Sequence, residues 1–243
     1  MLRARPLHFT SRMEQWTEVL TALGLVKVVD QGDWREFDAG SGRLALHAAA
    51  HGSPEDGTTV FGVEVGILEE FARRTREDGT QADVTEASHG TTVQVTAKDG
   101  FQFLADQAHA AEDGTWATSH RADPVLMVVA TWVSPDVDGS ARELRNIGAR
   151  PRTSDDESAT FSTKNGGILR VIHGAVARSG DLALEYDGEL EPVLRRLTGA
   201  KIEARISEAV LYVANPDAAG GAAPASIVVE KAPAQQTPAN PGS

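Results

Sequence analysis

The 243-residue chain contains no cysteine. That absence removes disulfides, thiolate metal ligands and cysteine nucleophiles together. Long apolar runs are missing too, and the opening MLRARPLHFTS passes from two arginines directly into an alternating, strand-like segment instead of the apolar stretch of a signal peptide. A cytoplasmic protein with no membrane partner is expected. Positive charge is scarce: 23 Lys and Arg stand against 35 Asp and Glu, a formal net charge of −12. Such a chain repels a phosphate backbone unless a local basic patch overrides its field. The densest cluster, RRTR at Arg73–Arg76, lies beside Glu69, Glu70, Glu77 and Asp78, so no nucleic-acid partner is expected. His-Glu-x-x-His, a phosphate loop and a nucleophile elbow are all absent, and GSGR at Gly40–Arg43 reads as a hairpin turn.

What the sequence does contain is a copy of itself. His8, Leu20, Gly24 and Phe37 recur as Trp132, Leu144, Gly148 and Phe161 at an offset of 124, and His47 recurs as His173 at 126, which a two-residue insertion in the hairpin STKNGG would explain. The repeat divides the chain into modules at 1–107 and 123–231. Between them lies a linker at 108–122 rich in small residues, and after them a Pro/Ala/Gln-rich tail at 232–243 with almost nothing to bury, expected to be disordered.

Each module divides again. Amphipathic helix-like segments occur at Arg12–Leu23, Ile67–Asp78, Val137–Ile147 and Glu189–Thr198, followed by Gly24, Gly79, Gly148 and Gly199. Glycine just past a helix supplies the left-handed residue that closes it, so the four mark equivalent ends. One alternating strand precedes each helix and about three follow. The class is α+β: four βαβββ units in two tandem modules, each a curved mixed sheet with outer helices.

This order of elements, together with LTALGL at Leu20–Leu25 and the NPD turn at Asn215–Asp217 (KDG at Lys98–Gly100 in the first module), resembles the vicinal oxygen chelate superfamily. That superfamily includes glyoxalase I, fosfomycin- and bleomycin-resistance proteins and extradiol dioxygenases. The resemblance implies that paired units curl into a cup around a ligand, and that two modules in one chain are the fused equivalent of a homodimer. The chain is then a monomeric pseudo-dimer or a homodimer of such chains. In the family's metal enzymes a divalent ion is held by His, Glu or Gln from the first and last strands and from strands between them.

Matched to those positions stand His8, Ala45, Val60 and Leu104 in the first module and Trp132, Val171, Asp181 and Val228 in the second. His8 and Asp181 alone among these can bind a metal. A protein site normally uses three or four ligands, so no metal cofactor is expected. A divalent metal is the alternative if a strand slips by one residue and exchanges its faces, bringing Glu36, Glu64, Glu185 or Glu230 nearer.

Strand parity supplies the candidate ligand-binding residues. With Leu44 and Leu46 toward the helices, Arg43, Ala45 and His47 face the cup, and His8 and Thr10 are assigned there with Leu7 and Phe9 inward. Glu64 and Gln102 complete the first cup. Trp132, His173, Asp181 and Glu185 are expected in the second, Trp132 as a flat apolar wall where a ligand would stand. His47 and His173 are read as strand-end hydrogen-bonding residues kept twice.

The expected function is therefore metal-independent binding of a small molecule, cationic or aromatic, as in bleomycin-resistance proteins that sequester an antibiotic or other natural product. The balance weighs against catalysis. The alternative is a lyase, isomerase or dioxygenase, either metal-dependent or using His8 or Asp181 as base. A third reading makes one module a purely structural half.

Overall fold

A computed structural model describes residues 1–87, 90–109, 118–220 and 223–233. The first half of the chain forms β1 (Leu2–Ala4), β2 (Leu7–Thr10), α1 (Met13–Leu23), β3 (Val26–Asp30), β4 (Trp34–Asp38), β5 (Arg43–Ala48) and a short β6 (Thr59–Val60), then β7 (Gly62–Val65), α2 (Leu68–Glu77), β8 (Gln81–Ala87), β9 (Gly90–Thr96) and β10 (Gln102–Gln107). The second half repeats the series as β11 (Leu126–Ser134), α3 (Val137–Asn146), β12 (Arg150–Ser154), β13 (Ser158–Ser162), β14 (Ile168–His173) and a short β15 (Arg178–Ser179), then β16 (Ala183–Tyr186), α4 (Glu191–Gly199), β17 (Ala204–Ser207), β18 (Val210–Ala214) and β19 (Ser226–Lys231), with a 3-10 turn at Pro216–Gly220 before the last strand.

The helices form where apolar residues recur on one face; Trp16, Val19, Leu20 and Leu23 are the buried stripe of α1. Gly24, Gly79 and Gly148 take the left-handed conformation at φ 107°, 97° and 93°. The fourth end departs from this punctuation. Gly199 is the last residue of α4, and the left-handed position falls on Lys201 at φ 61°.

In the second module one sheet runs in the order β12-β13-β14-β11-β16-β19-β18-β17, with β11 at its centre. The first module has the same order split in two, β3-β4-β5-β2-β6 and β1-β7-β10-β9-β8. The split falls at Pro6, the equivalent of Ala130 in the middle of β11. Proline has no N–H to give the ladder, so the long central strand is broken into β1 and β2.

The modules interlock through their hairpin tips. Ser41 N donates to Leu126 O at 3.0 Å and Val128 N to Ser41 O at 2.9 Å; in the symmetric place Asn165 N donates to Leu2 O at 2.9 Å and Ala4 N to Gly166 O at 3.0 Å. The β4–β5 hairpin thus pairs with β11, and the β13–β14 hairpin with β1, each reaching the first strand of the other module. The apolar cores cross in the same sense. One joins α2, β1 and β7–β10 to α3, β11, β13 and β14, and the other joins α1, β4 and β5 to α4 and β16–β19. Of the expected linker, residues 110–117 lie outside the described residues, as do residues 234–243 of the tail. No described helix is long and apolar enough to cross a membrane.

Candidate functional site

Residues paired across a ladder share a face, so register decides which side chains look into each cup. Leu44 and Leu46 belong to the helix-side core, as expected. His8 pairs with Leu46, and Leu7 with Ala45. His8 and Thr10 therefore lie on the helix side, not in the cup, and Leu7 and Phe9 take the cup face.

The same logic resolves the two histidines. Leu7 pairs with Ala45 and its counterpart Thr131 pairs with Arg170, so β5 and β14 correspond at an offset of 125 and the hairpin insertion is one residue, not two. His47 corresponds to Ile172, and His173 to Ala48. The histidines stand on opposite faces and are not copies of one position. His47 is half-buried at the rim of the first cup, with Nδ1 2.9 Å from Ala48 O and its ring 5.4 Å from Phe9 and 5.8 Å from Trp34. His173 is exposed at a strand end.

The first cup is filled by charge. Arg3, Arg5 and Arg43 enter from β1, the β1–β2 connection and β5, and meet Glu36, Asp38, Glu64 and Asp106 from β4, β7 and β10. Arg3 Nε donates to Glu64 at 2.6 Å, and Arg5 Nε and Arg43 lie 3.4 Å and 3.7 Å from its other oxygen. Arg43 also donates to Asp38 at 2.7 Å and Glu36 at 3.0 Å, Arg5 bonds Asp106, and the Arg5 guanidinium lies 5.3 Å from the Trp34 ring. Burial disfavours the Arg43 charge, but Asp38, Glu64 and Glu36 outweigh it and its pKa stands above the ordinary arginine value. Gln102 shares this face by its pairing in β10 but sits exposed at the edge.

The second cup is more open. Its floor is apolar, with Val129, Ile168 and Ala183 buried and Met127 packed against them. Two ion pairs stand on it: Arg152 to Glu185 at 2.9 Å and Arg170 to Glu230 at 2.7 Å. Nearby, the Arg205 guanidinium lies 4.4 Å from the Tyr212 ring. Glu185 therefore lies in this cup, paired with Arg152. Trp132 does not: it pairs with Val171 on the helix side, is fully buried, and stacks on Phe101 with ring centroids 4.8 Å apart. Asp181 is an exposed residue outside this cup.

His8, Thr10 and Asp181 belong instead to the junction of the modules. Asp217, held in an Asx turn by its N–H on Asn215 Oδ1 at 2.9 Å, accepts from Trp16 Nε1 at 2.6 Å and Thr10 Oγ1 at 2.7 Å, and lies 2.9 Å from His8 Nε2. His8 Nδ1 is 2.9 Å from Thr59 Oγ1. Beside them is a cavity of about 10 Å³, the size of one water, which Asp181 also lines. Burial pushes the Asp217 carboxyl up, but the groups on His8, Thr10 and Trp16 more than offset this and hold it below the usual carboxylate range. A depressed folded-state pKa stabilises above the unfolded value and is lost as pH falls through the folded one. Asp217→Asn is accordingly expected to cost about 2 kcal/mol at pH 7, the scale of hydrogen bonds to a charged group. The deficit relative to wild type should shrink in urea titrations carried progressively below the ordinary carboxylate pKa; an unchanged deficit would refute the assignment.

The carboxylates of both cups are committed to arginines. A ring-cleaving iron site is built from two histidines and a carboxylate with open positions. The cup carboxylates here are engaged by arginines whose charge opposes a cation, and no group of three or more His, Asp or Glu among the described residues is arranged to hold a metal. Sequence reasoning missed Arg3, Arg5, Arg152, Arg170 and Asp217. The shared parity of Arg3 and Arg5 with Leu7 and Phe9 is the available signal, and Asp217 is legible only as part of a turn.

No family model matches the sequence, and no curated protein matches it either. Solved structures do. Homoprotocatechuate 2,3-dioxygenase from Brevibacterium fuscum, in complex with 3,4-dihydroxyphenylacetate, superposes with a TM-score of 0.60 at 14% identity over 98% of this chain and 81% of that one. A catechol 2,3-dioxygenase gives 0.58 at 16% over 97% and 95%. The 2,3-dioxygenase LapB from Pseudomonas sp. KL28 gives 0.58 at 12% over 97% and 93%. The chain shares the two-module fold of these dioxygenases, and at these identities the likeness is one of fold alone.

Proposed function

We propose that the chain is a metal-independent small-molecule-binding protein on the scaffold of a ring-cleaving dioxygenase, its first cup a closed structural half and its second the binding surface. One observation carries the reading: the cup carboxylates Glu36, Glu64, Asp106, Glu185 and Glu230 are each engaged by an arginine. Groups that would chelate a metal are spent on neutralising neighbours. In the second cup an apolar floor walled by ion pairs suits a flat or aromatic guest carrying a charged group, with Arg170 and Glu230 as the half-exposed pair able to exchange partners with it. Sequestration of a natural product is the service such a cup would perform.

A second reading, a metal-dependent dioxygenase, draws on the fold likeness. Elemental analysis separates the two. Protein purified without chelators and then exposed to Fe(II), Mn, Zn or Ni is expected to retain no stoichiometric metal, and catechols should not be cleaved. A thermal-shift screen of aromatic cations should return binders that Arg170→Ala or Glu230→Gln weakens about tenfold, equivalent to about 1.4 kcal/mol. One retained ion per chain with ring cleavage would replace the first reading by the second.

A further inference from the structure

We propose that a cleft at the module junction, between the loop at 51–56 and the 3-10 turn of the other module, binds an oxyanion, a carboxylate or a phosphate group, through the Arg12 guanidinium. The cleft has a volume of about 270 Å³, and Arg12, His51, Ser53, Asp56 and Asp217 line it. It lies apart from both cups and is independent of the function proposed for them.

Two of these five residues are carboxylates, which would suggest a cation. Their capacity to accept is already heavily used. Asp217 is engaged by His8, Thr10 and Trp16. Asp56 accepts from Ser11 N at 2.7 Å, Ser11 Oγ at 3.0 Å and Gly52 N at 3.0 Å, with His51 Nδ1 at 3.5 Å. These donors hold the Asp56 pKa below the usual carboxylate range against the opposing effect of burial, which is the largest single influence on it.

What remains unspent is donor capacity. Among the described residues Arg12 makes no ion pair and no side-chain hydrogen bond, although the chain is strongly acidic. Ser53 Oγ is buried without a partner. The His51 side chain is 75% exposed, which leaves its ring accessible from the cleft. Arg12 also precedes α1, whose start carries no side-chain cap, so the first-turn amides add potential of the same sign. A guanidinium presents paired donors in the plane that carboxylate and phosphate oxygens require. The guest would be acceptor-rich, and it would touch residues of both modules, so occupancy would stabilise their docking.

The test follows thermal unfolding of the full chain in rising inorganic phosphate and, separately, malonate, with sodium chloride at matched ionic strength as reference. A saturable rise in Tm beyond chloride is expected, with the midpoint concentration moved up about tenfold in Arg12→Ala and less in Arg12→Lys, which keeps the charge and loses the fork. Saturation by phosphate alone assigns a phosphate site, by malonate alone a carboxylate site, and by both a general oxyanion site. No saturable rise with either anion, or an equal rise in Arg12→Ala protein that retains the wild-type circular dichroism spectrum, overturns the proposal.

Discussion

Gly167→Ala is expected to lower the free energy of unfolding by about 3 kcal/mol, combining a backbone penalty with an overpacking penalty. Gly167 sits at φ 89°, and a Cβ there would stand 2.5 Å from Ala4 Cβ, 3.2 Å from Gly42 Cα and 3.3 Å from Val128 O. None of these atoms is the free end of a long side chain. Ala4 is fully buried in the first module's β1, and Gly42 is the reciprocal hairpin glycine at φ 90°. The clash therefore falls where the two modules interlock, and relief requires the hairpin and the opposing strand to separate. Gly100→Ala is the control. Its φ is 85° and nothing lies within 4 Å of its added Cβ, so it pays the backbone penalty alone, about 1 kcal/mol. Urea denaturation of both variants checks the difference. Equal losses would mean that the hairpin tips do not hold the modules together.

The interlock joins elements whose local signals the sequence carries openly to a register that it does not. The offset between Phe37 and Phe161 located the repeat, and helix periodicity with left-handed glycines located α1, α2 and α3, because these are local signals repeated by a duplicated chain. The fourth end escapes this signal, since its left-handed turn falls on Lys201, two residues past Gly199, where no glycine advertises it. The sites were harder to see because they depend on register. A one-residue difference in a hairpin exchanges the faces of a strand, and an offset of 126 in place of 125 put His47 and His173 on one face when they lie on opposite ones. His8 takes the helix side for a related reason: its face follows from its pairing with Leu46, which alternation along its own strand does not reveal. Asp217 was out of reach, since it joins His8, Thr10 and Trp16 across some 200 positions of sequence.

The charge network of the first cup leads to the other large effect. Glu64→Leu is expected to destabilise the protein by about 4 kcal/mol, because it strips the shared carboxylate from buried guanidinium groups. Glu64 is 3% exposed, and Arg3, Arg5 and Arg43, at 1%, 5% and 9%, all lie within ion-pair distance of it. A lone surface pair would be worth less than about 1 kcal/mol and would weaken in salt. Here solvent and counterions have little access, so the loss measured in urea should persist at 1 M sodium chloride. Glu64→Gln keeps an acceptor oxygen and the shape, and should cost less than Glu64→Leu. The double variant Arg3→Met with Glu64→Leu should regain much of the single-variant loss, since a packed apolar pair replaces a desolvated ionic one. That recovery distinguishes a network retained as the filling of a closed cup from one poised for a ligand. If Glu64→Leu instead costs under about 1 kcal/mol, the arginines are solvated or re-paired. The first cup would then be accessible, and the division into a structural half and a binding half would fail with it.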